Sequence, residues 1–162
     1  MSGVLLEPAD FMRRALDLAR EGSAAGHGGP FGCVIVKDGV IVGEGYNSVL
    51  RNADPTAHGE MLALRAAGQK LGTHDLSGCE VYNISVPCPM CMAAMYWARV
   101  KSVHYCCKPA DAQAIGFDNL VIDAELAKPL DQRSLAFVEM PDLYPEAWNV
   151  YATWAKAKGK LY

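Results

Sequence analysis

The spacing of apolar positions along the chain predicts helices alternating with short strands. In residues 9–20, Phe11, Ala15, Leu18 and Ala19 recur at helical spacing, with Arg13, Arg14 and Asp17 between them and Gly22 beyond. That is the apolar stripe of an amphipathic helix followed by a stop. Residues 31–36 and 40–42 are rich in β-branched side chains and are joined by Lys37-Asp38-Gly39, a turn signal that predicts a hairpin. Helix formers fill residues 57–67 after Asp54-Pro55-Thr56, with Thr56 as a candidate cap. Residues 81–86 then predict a strand, 90–98 a helix and 100–106 another strand; 135–140 suggest one more strand. Residues 141–158 predict a final helix carrying Trp148, Tyr151 and Trp154. Helix, hairpin, helix, strand, helix, strand implies an α/β fold with a mixed sheet covered by helices on both faces.

Composition narrows the setting. The 162 residues, 51% apolar and 20% charged, suit one folded domain over 1–162, with no linker or repeat to divide it. Fifteen basic residues against eighteen acidic ones give a net charge of -3. A protein that tracks a phosphate backbone needs a basic excess, so long nucleic acid is disfavoured as a substrate. The most apolar stretch, 90–98, is about half of the roughly 20 residues that span a bilayer, and the N-terminus lacks an export pattern. No membrane partner and a cytoplasmic location are the expectations. Six cysteines, at 33, 79, 88, 91, 106 and 107, then read as reduced thiols.

The chemistry concentrates in two short motifs, each opening a predicted helix: His58-Gly59-Glu60 and Pro87-Cys88-Pro89-Met90-Cys91. Cys88 and Cys91 are three apart, so both sulfurs can face one point on a first helical turn. Two thiolates and an imidazole make three of zinc's four tetrahedral ligands and leave the fourth position open, as in a catalytic site. His58 and Glu60, two apart, point about 200° from one another around a regular helix. They reach one metal only if it lies near the axis, off the N-terminus, where the helix dipole also favours thiolates. Glu60 is then placed to take a proton from the attacking water and pass it to the substrate's ring nitrogen and leaving amine. A structural zinc would need a fourth protein ligand, which His27, His74 and His104 do not offer at ligand spacing. A thioredoxin-like dithiol would leave His58 and Glu60 without a role. The Met90, Met92, Met95, Tyr96, Trp97 series reads mostly as helix packing, and Cys106-Cys107 as core plus one semi-exposed thiol.

H-x-E with P-C-x-x-C is the signature of zinc nucleobase deaminases, and the chain resembles the cytidine deaminase-like superfamily, closest to bacterial guanine deaminases. The resemblance runs through Gly28-Gly29-Pro30-Phe31-Gly32, Asn47, residues 54–60, the Pro-Cys motif, Tyr96-Trp97-Ala98-Arg99, Ala114-Ile115-Gly116-Phe117-Asp118 and the final Tyr162. It implies a three-layer α/β/α sandwich and a homodimer whose C-terminal segment crosses to the partner. It also implies one zinc per chain on His58, Cys88 and Cys91, with Glu60 moving protons. Asn47 would hydrogen-bond the base, Gly59 would offer its backbone N–H, Phe31 and Trp97 would wall the pocket, and Tyr162 would close it.

Three positions depart from the pattern. Asn119 stands where such guanine deaminases carry an acid assigned to guanine's ring edge, Val86 replaces a common Glu, and Gly59 replaces the commoner Ala. An amide donates and accepts hydrogen bonds but cannot exchange a proton near pH 7, which predicts weaker guanine turnover than a carboxylate would give. The expected reaction is hydrolytic removal of an exocyclic amine from a small nitrogen heterocycle, guanine first. The alternatives are cytosine, another purine or pterin, creatinine or a triazine, then a tRNA adenosine. A non-catalytic zinc-stabilised module is the reading from a different class.

Overall fold

The computed structural model describes residues 6–117 and 119–162; the export reading at residues 1–5 and Asp118 of the Gly-Phe-Asp triplet lie outside the described residues. Two compact units divide after Leu120. In the first, α1 (Pro8–Ala24) precedes the hairpin β1 (Gly32–Lys37) and β2 (Val40–Tyr46), followed by the short α2 (Val49–Asn52) and by α3 (Gly59–Leu71). Next come β3 (Glu80–Ser85), α4 (Pro89–Trp97), β4 (Ser102–Cys107) and α5 (Pro109–Ala114).

The sheet order is β2-β1-β3-β4. β1 pairs antiparallel with β2 and with β3, and β3 pairs parallel with β4 across α4, so the sheet is mixed. The hairpin turn places Asp38 at φ 50° and Gly39 at φ 75°, the two left-handed residues that a tight hairpin needs to match strand twist.

Side chains of the central β1 alternate between two buried layers, which explains its unbroken apolar run. Val34 and Val36 pack with Phe11, Ala15 and Leu18 of α1 and with Tyr82. Cys33 and Ile35 pack on the other side with Ala63, Leu64 and Ala67 of α3 and Met95 of α4. Helix, sheet, helix is therefore the layering, as the element order implied.

Two glycines set how close α3 comes to the sheet. A Cβ on Gly43 would lie 2.3 Å from the Ala63 carbonyl oxygen, and one on Gly45 would lie 2.4 Å from that of Gly59. Only a strand without side chains there lets α3 rest on β2 backbone, which fixes the first turn of α3 over the end of the sheet.

Some expectations need correction. Thr56 does not cap α3: its N–H and hydroxyl both donate to Asp54 Oδ1, at 2.8 and 2.7 Å, and His58 occupies the cap position. Residues 135–140 form no strand. Met92, Tyr96 and Trp97 are exposed and only Met95 is core, while Cys106 is exposed and Cys107 half-buried.

The second unit, Val121–Tyr162, holds 3-10 turns at Leu130–Gln132 and Pro141–Leu143 and then α7 (Tyr144–Lys156), none of whose residues is buried. A further helix, α6 (Leu120–Leu126), starts at the division. Among the described residues, no helix is long and apolar enough to cross a membrane.

Candidate active site

Two helix starts converge, and a candidate metal ligand takes the cap position of each. His58 is extended, at φ -69° and ψ 152°, and its ring makes no cap bond. Cys88 is likewise extended before Pro89, which opens α4 with a preset φ. Freed from capping, the imidazole Nδ1 lies 3.6 Å from Cys88 Sγ and 3.5 Å from Cys91 Sγ. All three ligand atoms lie within 4.8 Å of one another.

Zinc fits this donor set. With Zn–S near 2.3 Å and Zn–N near 2.05 Å, tetrahedral ligation sets sulfur and nitrogen about 3.6 Å apart, which is the spacing observed. Electrostatics agree. The Cys91 thiol and then His58 hydrogen-bond to Cys88 and hold it down to about 4. Cys91, the donor in that pair, is pushed up, and the Cys88 sulfur raises His58. The three atoms thus share protons that a dication would displace, beside two positive helix ends.

Glu60 follows two residues after His58 on the first turn of α3 and is 5% exposed. Burial raises its carboxyl above the ordinary range, while a backbone hydrogen bond opposes that shift. The Asn83 amide donates to its Oε1 at 3.0 Å.

These groups open on a cavity of about 380 Å³ lined by Gly28, Gly29, Phe31, Asn47, Val49, Leu50, Pro55, His58, Glu60, Ser85, Val86, Cys88, Phe117 and Asn119. That size suits a single heterocycle, at the low end of the roughly 300–1,000 Å³ of small-molecule pockets. Phe31 and Phe117 meet edge to face with ring centres 4.9 Å apart, forming one apolar wall; Val49, Leu50 and Pro55 add further apolar lining.

The loops that carry these residues are tied by backbone bonds. The Asn47 N–H donates to Phe31 O at 2.8 Å, Ser48 N–H to Ala57 O at 2.9 Å, and the Leu50 and Arg51 N–H groups to His27 O at 3.0 Å. Asn47 is buried, and its Oδ1 accepts from the Val49 N–H at 3.3 Å. What it has left for a ligand is the Nδ2 donor pair.

The structure therefore brings His58, Cys88, Glu60, Asn47, Phe31 and Asn119 to one cavity, with Cys91 completing the metal triad behind it. Gly59 is buried under the same helix turn and does not line the cavity; a Cβ there would sit 3.1 Å from Phe31 O. Trp97 does not line this cavity: it is 67% exposed and lines a separate shallow depression with Ala93, Tyr96 and Arg99. Tyr162 belongs to the second unit. Sequence reasoning missed Asn83, Ser85 and Phe117 as site residues. An asparagine inside a β-branched run was the available signal for Asn83, since strands are poor in asparagine.

Residues 7–107 match the cytidine and deoxycytidylate deaminase zinc-binding region. The chain is 47% identical over 146 residues to the guanine deaminase of Bacillus subtilis (strain 168), covering 88% of this chain and 94% of the relative. A crystal structure of guanine deaminase from Bacillus subtilis superposes with a TM-score of 0.83 at 45% identity, over 90% of this chain and 95% of that one. A second solved structure, a complex with 2,6-diaminopurine, gives a TM-score of 0.68 at 38% identity, over 72% of this chain and 65% of that one.

Proposed function

The chain belongs to the cytidine and deoxycytidylate deaminase zinc-binding family, and from that premise we propose that it hydrolyses guanine to xanthine, releasing ammonia. His58, Cys88 and Cys91 hold one zinc per chain in this reading. The observation that carries it is a buried carboxylate, Glu60, lining the same cavity as His58 and Cys88. Zinc bound at this triad supplies the Lewis acid that makes water a nucleophile near neutral pH.

The remaining work falls to the chain's own side chains. Glu60 takes the proton released as water adds to the amino-bearing carbon and delivers it to the adjacent ring nitrogen. A second proton passes through the same carboxyl to the departing amine, so water contributes oxygen to the product and hydrogen to ammonia. Phe31 and Phe117 hold the ring's apolar surface, the Asn47 Nδ2 group donates to an acceptor on the base, and Asn119 faces its edge. Val49, Leu50 and Pro55 add apolar lining beside these polar contacts.

An ammonia-release screen over guanine, adenine, cytosine, a pterin, a triazine and creatinine tests the substrate. Guanine should give the highest kcat/KM. A faster member of the set would overturn guanine while keeping the deaminase.

The second unit has its place in the same reading. Tyr144, Trp148, Tyr151 and Trp154 of α7 are all exposed, as are Met92 and Tyr96 of α4 and Tyr105 of β4. Apolar surface on this scale calls for a partner, which supports a homodimer of single-domain chains, 1–162, whose C-terminal segments cross over. Tyr162 then closes the partner's cavity. Six cysteines without a disulfide suit the reducing cytoplasm. Deleting Leu161 and Tyr162 should lower kcat/KM by roughly 10-fold or more, with zinc content and thermal midpoint unchanged. Unaltered kinetics would remove Tyr162 from the site.

A further inference from the structure

Asn83 is 1% exposed and lies in the middle of β3, on the face that α3 covers. Its neighbours on that face are apolar or small: Val81 belongs to the core, and Cys33, its Cα partner across the β1 ladder, is fully buried. By propensity and burial this is a position for valine, because asparagine disfavours strands and must find hydrogen bonds wherever it is buried. Asn83 meets that requirement only halfway. Its Nδ2 group donates to Ser85 O at 2.8 Å and to Glu60 Oε1 at 3.0 Å, while its Oδ1 has no hydrogen-bond partner.

The donor end cannot be exchanged for the acceptor end. The Ser85 carbonyl is an acceptor in every state of the protein, so a flipped amide would set oxygen against oxygen there. With one amide hydrogen committed to Ser85, the other is aimed at Glu60. A buried acceptor without a partner costs stability, so the strand carries Asn83 against both its propensity and its packing. What the residue supplies in return is a fixed donor on the carboxylate.

We infer that Asn83 is a positioning residue for this reaction, tethering Glu60 Oε1 so that Oε2 is the oxygen left to carry protons between water and substrate. The inference rests on the shuttle role given to Glu60 above and is independent of which amine is the substrate. A carboxylate buried on a helix turn has two free torsions beyond its Cβ. Pinning one oxygen to the rigid centre of the sheet removes the rotation that would carry the other out of reach. Supporting hydrogen bonds of this kind, one layer behind the reacting groups, are commonly worth 10- to 100-fold in activity.

The test uses Asn83→Leu, close to isosteric, and Asn83→Val, smaller and better suited to a strand, with whichever amine the native protein turns over fastest. Each should lose on the order of 10-fold or more in kcat with KM within about 2-fold and full zinc content. A fall in kcat at constant KM and full zinc content is a combination that a merely structural residue does not give. The inference is overturned if either folded variant keeps kcat within about 2-fold, if the loss of activity tracks a loss of zinc, or if neither variant folds. A native protein inactive on guanine would instead count against the substrate, and a fully active Glu60→Gln variant against the shuttle. Both results are distinct from a changed ratio between Asn83 variants and native protein.

Discussion

Glu60→Gln should leave about one zinc per chain in place, since three protein ligands remain, while turnover falls on the order of 10²-fold or more. The amide keeps the shape of the side chain and still accepts from the Asn83 Nδ2 group that donates to Glu60 Oε1. What it loses is the capacity to take and release a proton, so the loss should appear in kcat. Cys88→Ala removes one of the three donor atoms and should lose metal and activity together. Metal analysis beside steady-state kinetics separates the two outcomes. Zinc loss in Glu60→Gln would make that residue a ligand, and near-native turnover would leave the proton transfer to another group.

The contrast between those two residues was legible in the sequence because it is local. His58, Glu60, Cys88 and Cys91 sit within one helical turn of a helix start, so spacing alone aligns them, and the structure places His58 and Cys88 at the cap positions themselves. The hairpin, α1 and the two-layer core were equally readable, because each follows from a period of 2 or 3.6 along neighbouring residues. Asn83 stood out in the sequence only as an asparagine in a strand run, without a partner to give it a role. Its role depends on β3 lying beside β1 in a register that pairs Asn83 with Cys33 and on α3 resting against Gly43 and Gly45, which no local pattern states. Residues 135–140 failed for the converse reason. Leu135, Phe137, Val138 and Met140 are apolar enough to suggest a strand, but a strand needs a neighbour to take its backbone hydrogen bonds, and these side chains stay exposed. The motif Tyr96-Trp97-Ala98-Arg99 is intact, and Trp97 is not among the residues that line this chain's cavity.

Asn119→Asp should raise kcat/KM for guanine by roughly 10-fold or more, the scale of one hydrogen bond to a charged group. Asn119 is half-buried and lines the same cavity as Phe31 and Phe117. Guanine presents two adjacent donors along one edge, the ring N–H and the amino group, and a carboxylate can accept from both. An amide accepts with one atom and donates with the other, so one of its ends faces a like partner. In a cavity this small the mismatch is not diluted by water, because an unpaired polar group stays unpaired in the bound complex. The carboxylate would also accept the ring proton, which the amide cannot do near pH 7. The substitution should therefore act on both kcat and KM for guanine and should weaken any amine whose matching edge mixes a donor with an acceptor. Kinetics of both proteins on guanine and on 2,6-diaminopurine, which lacks the ring N–H on that edge, read this directly. An equal change on both purines, or no change on either, would take Asn119 out of contact with the ring edge.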